Sequence, residues 1–261
     1  MPRIGGMWRR RLKLLLLCAA PVGAGAAQAD LEAELADLGA RAEFGFYARE
    51  PAVVEAARAA LEQLSAADGR VTYHRALAAL RAAQLQPHAA KARTPALAAC
   101  IDSAERAAEL ESTWAEPWIL VAACSALAAH AEPVKTLLHA RRFDQALARA
   151  RAIDSGNPRV ALAEAWRVAR DHAELDSAAA AVLIPRLEAA AAAYAARSRA
   201  YIAPDWGEAE TLAWLCALHL RRGDVRAARD FIEQALIAAP GFAHALELKR
   251  QVEAQVLGAA R

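Results

Sequence analysis

The chain has 261 residues, 57% apolar, 24% charged and 6% aromatic, with a formal charge of +2. Alanine alone makes up more than a quarter of it, and alanine favours helix because it loses no side-chain entropy there. The scarcity of sheet-forming letters, the balanced charge and the four cysteines exclude a β-sandwich or barrel, a disordered tail, a disulfide-packed miniprotein and a nucleic-acid binder resting on basic excess.

Met1 to Ala29 reads as a secretory signal. Arg3, Arg9, Arg10, Arg11 and Lys13 make a basic start, Leu14 to Leu17 open an apolar run, and Ala27-Gln28-Ala29 supplies a small-x-small cleavage signal before Asp30. Pro21 and Gly23 break the apolar run well short of the ~20 residues a bilayer span needs. Leu15-Leu16-Leu17-Cys18 resembles a lipoprotein cleavage motif, although Leu17 stands where that motif takes a small residue. Arg9-Arg10-Arg11-Leu12-Lys13 resembles a twin-arginine signal, a look that any basic start shares. The expectation is cleavage after Ala29 and a periplasmic location, with 1–29 as signal and 30–261 as the working domain and no membrane span left in it. The signal holds five of the 32 basic residues and none of the 30 acidic ones, so the remainder has a net charge of −3.

From Asp30 the sequence reads as consecutive helices. The first is expected over Leu31–Arg49, with Leu31, Leu35, Leu38 and Ala42 on one face. Pro51 opens the second, which carries Val54, Ala57, Leu61 and Leu64 and stops at Asp68-Gly69. Others follow at Val71–Leu85, Pro95–Glu111, Ala115–Ala131, Pro133–Ile153, Pro158–Asp171, Ala180–Arg199, Gly207–Arg222, Val225–Ala238 and Ala243–Val256. No stretch keeps period-two alternation long enough for a strand. An all-α fold follows.

Internal repetition decides between a bundle and a stacked array. In Ala209 to Pro240, large or small apolar residues recur at Leu212, Leu215, Cys216, Ala228, Ile232 and Ala235. His219, the turn Gly223-Asp224-Val225 and the closing Pro240 punctuate them. Gly223 suits a left-handed helix end, the small residues permit close helix approach, and Pro240 ends the second helix. This segment resembles a tetratricopeptide repeat. Glu109-Leu110-Glu111 followed by Ala115-Glu116-Pro117-Trp118, and Ala152 to Val160, are similar to that family's junctions, with Ser112 and Ser155 in place of a proline. The resemblance implies an α-solenoid of about five degenerate helix pairs (31–66, 71–111, 115–153, 158–199 and 207–238) plus a capping helix at Ala243–Val256.

Cys100 lies twelve residues before Ser112 and Cys124 twelve after it. In a hairpin turning there they share a height, so a bridge is expected between them, against the alternative of two buried thiols. Cys216 reads as a small core residue.

None of the seven histidines makes a metal-ligand pattern, and neither a phosphate loop, a nucleophile elbow nor a dinucleotide fingerprint is present. No cofactor or metal is implied. Arg222-Gly223-Asp224 coincides with the inter-helix turn, where Gly gives the geometry and Asp caps the next helix. The resemblance implies that the first helix of each pair lines a concave groove. Glu116, Arg159, Trp166, Arg170, Glu210 and Arg221 would then face a protein or peptide partner, with Trp and Arg as its anchors. The competing reading packs Trp166 against a neighbouring repeat and uses Trp206 as a buried staple. A non-catalytic scaffold is expected, set against an accessory subunit of a solute transporter with a ligand cavity, or an envelope enzyme with clustered ionisable groups.

Overall fold

The computed structural model describes residues 22–65, 67–87, 91–169, 175–197 and 206–259, with side chains from residue 28 onward. The chain is all-helical: α1 Val22–Tyr47, α2 Pro51–Gln63, α3 Gly69–Leu85, α4 Arg93–Leu110, α5 Ala115–Ala131, α6 Thr136–Ile153, α7 Arg159–Val168, α8 Ser177–Ala196, α9 Glu208–Arg221, α10 Val225–Ala238 and α11 Ala243–Ala259. A 3-10 turn at Pro133–Lys135 leads into α6, and no strand occurs among the described residues.

Local chemistry places the helix ends. Pro51 starts α2, where its missing N–H is no loss. Asp68 caps α3 by accepting from Arg70 N (2.7 Å) and Val71 N (3.3 Å), and Asp176 caps α8 through Ala179 N (2.7 Å). At the other end of α2 the Arg75 guanidinium donates to the carbonyls of Leu61, Glu62 and Leu64, satisfying acceptors at the helix end, where the Leu61 carbonyl also takes the Leu64 N–H. Gly223 turns α9 into α10 at φ +77°, and Asp224 then accepts from Ala227 N at 3.1 Å.

Several boundaries differ from the sequence expectation: α2 stops at Gln63, short of Asp68-Gly69, α7 ends at Val168 before Asp171, and α8 starts at Ser177 before Ala180. Helix α1 reaches back to Val22 because the alanine-rich run holds no stop, so it passes through Ala27-Gln28-Ala29. Gln28, Ala29 and Asp30 are exposed and Leu35 is the first buried side chain of α1, so a chain starting at Asp30 keeps every described core contact. Pro133 starts the 3-10 turn rather than α6 itself. The arginine pair at 9–10, Cys18 and Arg170 lie outside the described residues.

Helices adjacent in sequence pack side by side except α6 and α7, and a second relation runs through the chain. Each odd-numbered helix also touches the next one, α1 on α3, α3 on α5, α5 on α7, α7 on α9 and α9 on α11. Helix α5 sits mid-ladder and is buried nearly all round, which its Ala-rich sequence permits. An N-terminal core patch centres on Leu35, Leu38, Leu61 and Val71. The central core runs from Tyr73 to Leu218, and a C-terminal one joins Leu212, Ile232, Phe242 and Leu248. Cys100 and Cys124 are bonded, with Cα atoms 6.3 Å apart.

By length and apolarity α8 would suffice to cross a membrane, with a mean hydropathy of 1.3. In the fold it packs along one face, with 33% of that span buried. Leu183, Ile184, Leu187 and Tyr194 are buried, Arg186 pairs with Glu164 at 3.2 Å and Glu188 lies 3.2 Å from His219.

Candidate functional site

The odd helices carry an interior row of charges of alternating sign. Glu43 comes from α1, Arg81 from α3, Glu116 from α5, Arg159 from α7 and Glu210 from α9, and all five are buried. Arg81 holds Glu43 in a two-pronged pair, Nε to Oε1 at 2.7 Å and Nη2 to Oε2 at 2.6 Å. The same Nη2 lies 2.5 Å from Glu210 Oε1. The Arg81 guanidinium also stands 4.1 Å over the Phe46 ring. Arg159 donates from Nη1 to Glu116 Oε1 (3.0 Å) and from Nε to the Trp206 carbonyl (2.9 Å), and Asn157 Nδ2 reaches the same Glu116 oxygen at 2.8 Å. A buried charge is tolerable only when paired and hydrogen-bonded in this way.

Aromatic side chains close round the row. Trp206, 1% exposed, donates from its indole to Tyr73 Oη at 2.8 Å and stacks on Trp166 at 6.3 Å. Tyr47 Oη donates to Glu210 Oε2 at 2.8 Å, and Gly207 N donates to the same oxygen at 3.0 Å. Gly207 itself has φ +94°, and a Cβ there would stand 2.5 Å from Tyr194 Oη. Burial first, then neighbouring carboxylates, raise the hydroxyls of Tyr47 and Tyr73 well above their ordinary value, so both stay protonated donors. Burial alone would lower Arg81, but Glu210 and Glu43 outweigh it and hold the guanidinium above its usual value.

This geometry corrects the groove reading. Glu116, Arg159, Trp166 and Glu210 share one side of the helix ladder, yet each is 4% or 5% exposed. The row is covered by the Trp206 staple and by pairing between helices far apart in sequence, so these four residues bind the protein to itself. Arg221 lies at the exposed end of α9 and donates to the Leu175 carbonyl at 2.7 Å. Sequence reading missed Glu43 and Arg81. The available signal was an arginine inside the apolar run Ala78-Ala79-Leu80-Arg81-Ala82-Ala83.

The histidines have separate partners: His130 lies 3.0 Å from the Trp166 carbonyl, His139 3.0 Å from Glu132, and His219 packs on Phe231 at 5.3 Å. Among the described residues no group of three or more His, Cys, Asp or Glu is arranged to hold a metal ion. The thiol of Cys216 is pushed up to about 12 by burial, leaving it a protonated packing group.

A solvent-facing cleft of about 340 Å3 opens between α6, α7 and α8. Phe143, Ala179 and Leu183 line it together with Val168 and Val182, and Glu164, Arg167 and Arg186 form a charged rim. Val168 and Val182 are each more than half exposed. Glu164 is held by Arg151 and Arg186, and the Arg167 guanidinium stands 5.9 Å from the Phe143 ring. It is a shallow depression, open to solvent, with apolar and charged side chains side by side.

In comparisons with known proteins, no family model matches the chain and no curated protein matches it.

Proposed function

We propose that the chain is an exported, periplasmic helical-repeat scaffold of tetratricopeptide type that binds a protein or peptide partner without catalysis, and that the partner enters the α6–α7–α8 cleft. The observation that carries the repeat reading is the ladder of odd-numbered helices, each on the next, the packing a stacked array of helix pairs requires. The positions expected to pack within the last pair support it. Leu215, Cys216, Ala228 and Ala235 are each 0% exposed, Ile232 1%, and Gly223 adopts the left-handed turn. The binding surface then lies where apolar side chains remain open beside charge, at Val168, Val182 and Arg167.

Site-specific photocrosslinking in the native periplasm tests this. A photoreactive residue at Val168 or Val182 should give a discrete adduct that Arg167→Glu abolishes, and the same group at Arg229 on α10 should give none. Equal adducts from α10, or none from the cleft, would refute the cleft. Sequencing of the exported protein should begin at Asp30; an acylated Cys18 would replace the soluble periplasmic reading with a lipoprotein.

A further inference from the structure

Charge and apolar surface are interleaved in the depression between α6, α7 and α8. On α7, Glu164, Arg167 and Val168 stand at i, i+3 and i+4 and so share a face. Val182 and Arg186, at i and i+4 on α8, line the same depression, with Phe143 of α6 beneath. Val168 is 52% and Val182 55% exposed.

The charges there do not balance. Among the described residues, Glu164 is the one carboxylate lining the depression, and both Arg151 and Arg186 pair with it. Arg167 has no carboxylate within ion-pair distance among the described residues; its neighbour is the Phe143 ring at 5.9 Å. Three guanidiniums therefore surround one carboxylate, on an exported chain that is net acidic as a whole.

Depth separates the two signs. The Glu164 side chain is 16% exposed, against 47% for Arg151 and 53% for Arg186, so an approaching molecule meets guanidiniums first. Arg151 commits Nη2 and Arg186 commits Nη1 to Glu164. The guanidinium fork carries further N–H donors, which leaves both arginines able to take a second carboxylate.

This surface discriminates between occupants. A polyanion such as a nucleic acid would satisfy the cations but leave Val168 and Val182 uncovered. A wholly apolar segment would cover the valines but desolvate Arg167 without giving it a counter-charge. A lipid headgroup layer is flat, and the wall between three helices is concave. A segment that alternates acidic and aliphatic side chains meets both demands.

We infer that the occupant is an acidic peptide segment, seating an aliphatic side chain on Val168 and Val182 and placing carboxylates on Arg167 and Arg186. The inference rests on the proposal that this depression is the binding surface, and adds to it the chemistry of what is bound.

The test is fluorescence anisotropy of the exported protein with a dye-labelled synthetic peptide alternating glutamate and leucine. A counterpart with glutamine for every glutamate should bind at least ~10-fold more weakly, a difference that high salt narrows. Arg167→Gln should weaken the acidic peptide ~5-fold or more, and Val168→Ser with Val182→Ser should weaken both peptides. Arg141→Gln removes an equal charge from exposed α6 surface outside the depression and should leave binding unchanged. Glu164→Gln removes the one negative charge and should tighten the acidic peptide, the opposite of what damage to the fold would do.

Failure to bind the acidic peptide, equal binding of the glutamine peptide, an equal loss in Arg141→Gln or a loss in Glu164→Gln would overturn the inference. So would an occupant of another kind, seen as a dimer that Arg167→Gln dissociates in gel filtration or as flotation with phosphatidylglycerol vesicles that it abolishes. If Val168 and Val182 still crosslink to a partner in the periplasm after such a result, the depression stands as the binding surface and only the acidic chemistry is lost.

Discussion

Replacing Arg81 with methionine should be among the most damaging single changes available in this chain. The guanidinium is 0% exposed and faces two carboxylates, Glu43 and Glu210, at 2.6 and 2.5 Å. Methionine fills much of the volume but strands both negative charges. Breaking a buried pair by removing one partner costs about 3–5 kcal/mol, and the lost contact over Phe46 adds about 1 kcal/mol. For a chain of this size each kcal/mol lowers Tm by about 2–4 °C, so a fall of about 8–24 °C is expected at neutral pH in circular dichroism melts. The variant should also gain a pH dependence. With the cation gone, the two facing carboxylates have folded pKa values above the unfolded value of ~4.3. The folded state then binds protons the unfolded state does not, so its stability is greatest at low pH and declines as pH rises through the raised values. The deficit against wild type should therefore shrink between pH 7 and pH 5. Adding Glu43→Gln and Glu210→Gln should recover at least half of it. A loss below 1 kcal/mol, a deficit indifferent to pH, or one unrelieved by the two glutamines would refute the buried-row account.

Removing the Cys100–Cys124 bridge as a double alanine variant should lower stability by about 3.5 kcal/mol for its 24-residue separation, with a lower urea midpoint and a steeper slope as the freed unfolded chain exposes more surface. Gly223→Ala should cost only about 1 kcal/mol in the same assay, since φ is +77° but nothing lies within 4 Å of the added Cβ. Gly207→Ala should cost more than twice that, because its Cβ meets Tyr194 Oη at 2.5 Å, and Tyr194→Phe should restore part of the loss. His74 is lowered by burial to about 4. A histidine depressed below its unfolded ~6.5 makes stability fall as pH drops through the window from 6.5 to 4, by about 3 kcal/mol in all. His74→Phe should flatten the pH profile of stability there, and an unchanged slope would assign acid sensitivity elsewhere.

The helices were legible because their signals are local. Pro51, Gly223 and Asp224 act within one turn of where they stand, and each ends or starts a helix as expected, whereas Asp68, read as the stop of the second helix, caps the start of the third. The back-extension of α1 and the 3-10 turn at Pro133 were not, since an alanine run has no boundary of its own and proline opens both helix types. Glu116, Arg159, Trp166 and Glu210 were assigned to a solvent-facing side of the helices, yet all four are buried. Whether that side is open depends on which distant groups meet across it. Tyr47 and Glu210 are 163 positions apart, Tyr73 and Trp206 are 133 apart, and no periodicity in the sequence encodes such pairings. The cleft was invisible for the same reason, its walls being contributed by three helices.

The contacts between the first and last helices bear on the route by which the chain acquires its shape. Phe46 and Tyr47 pack on Phe242, Arg49 pairs with Glu247 at 2.6 Å, and Tyr47 reaches Glu210. A simple linear array can fold and fray from either end. Here α1 cannot finish until α9 to α11 have arrived. A polypeptide threaded head-first across a membrane would deliver Glu43 and Arg81 early and Glu210 only near the end. Folding from the N-terminus would thus run on an incompletely locked chain, and arrival of the C-terminal segment would be the event that fastens it, giving a late gain in protease resistance.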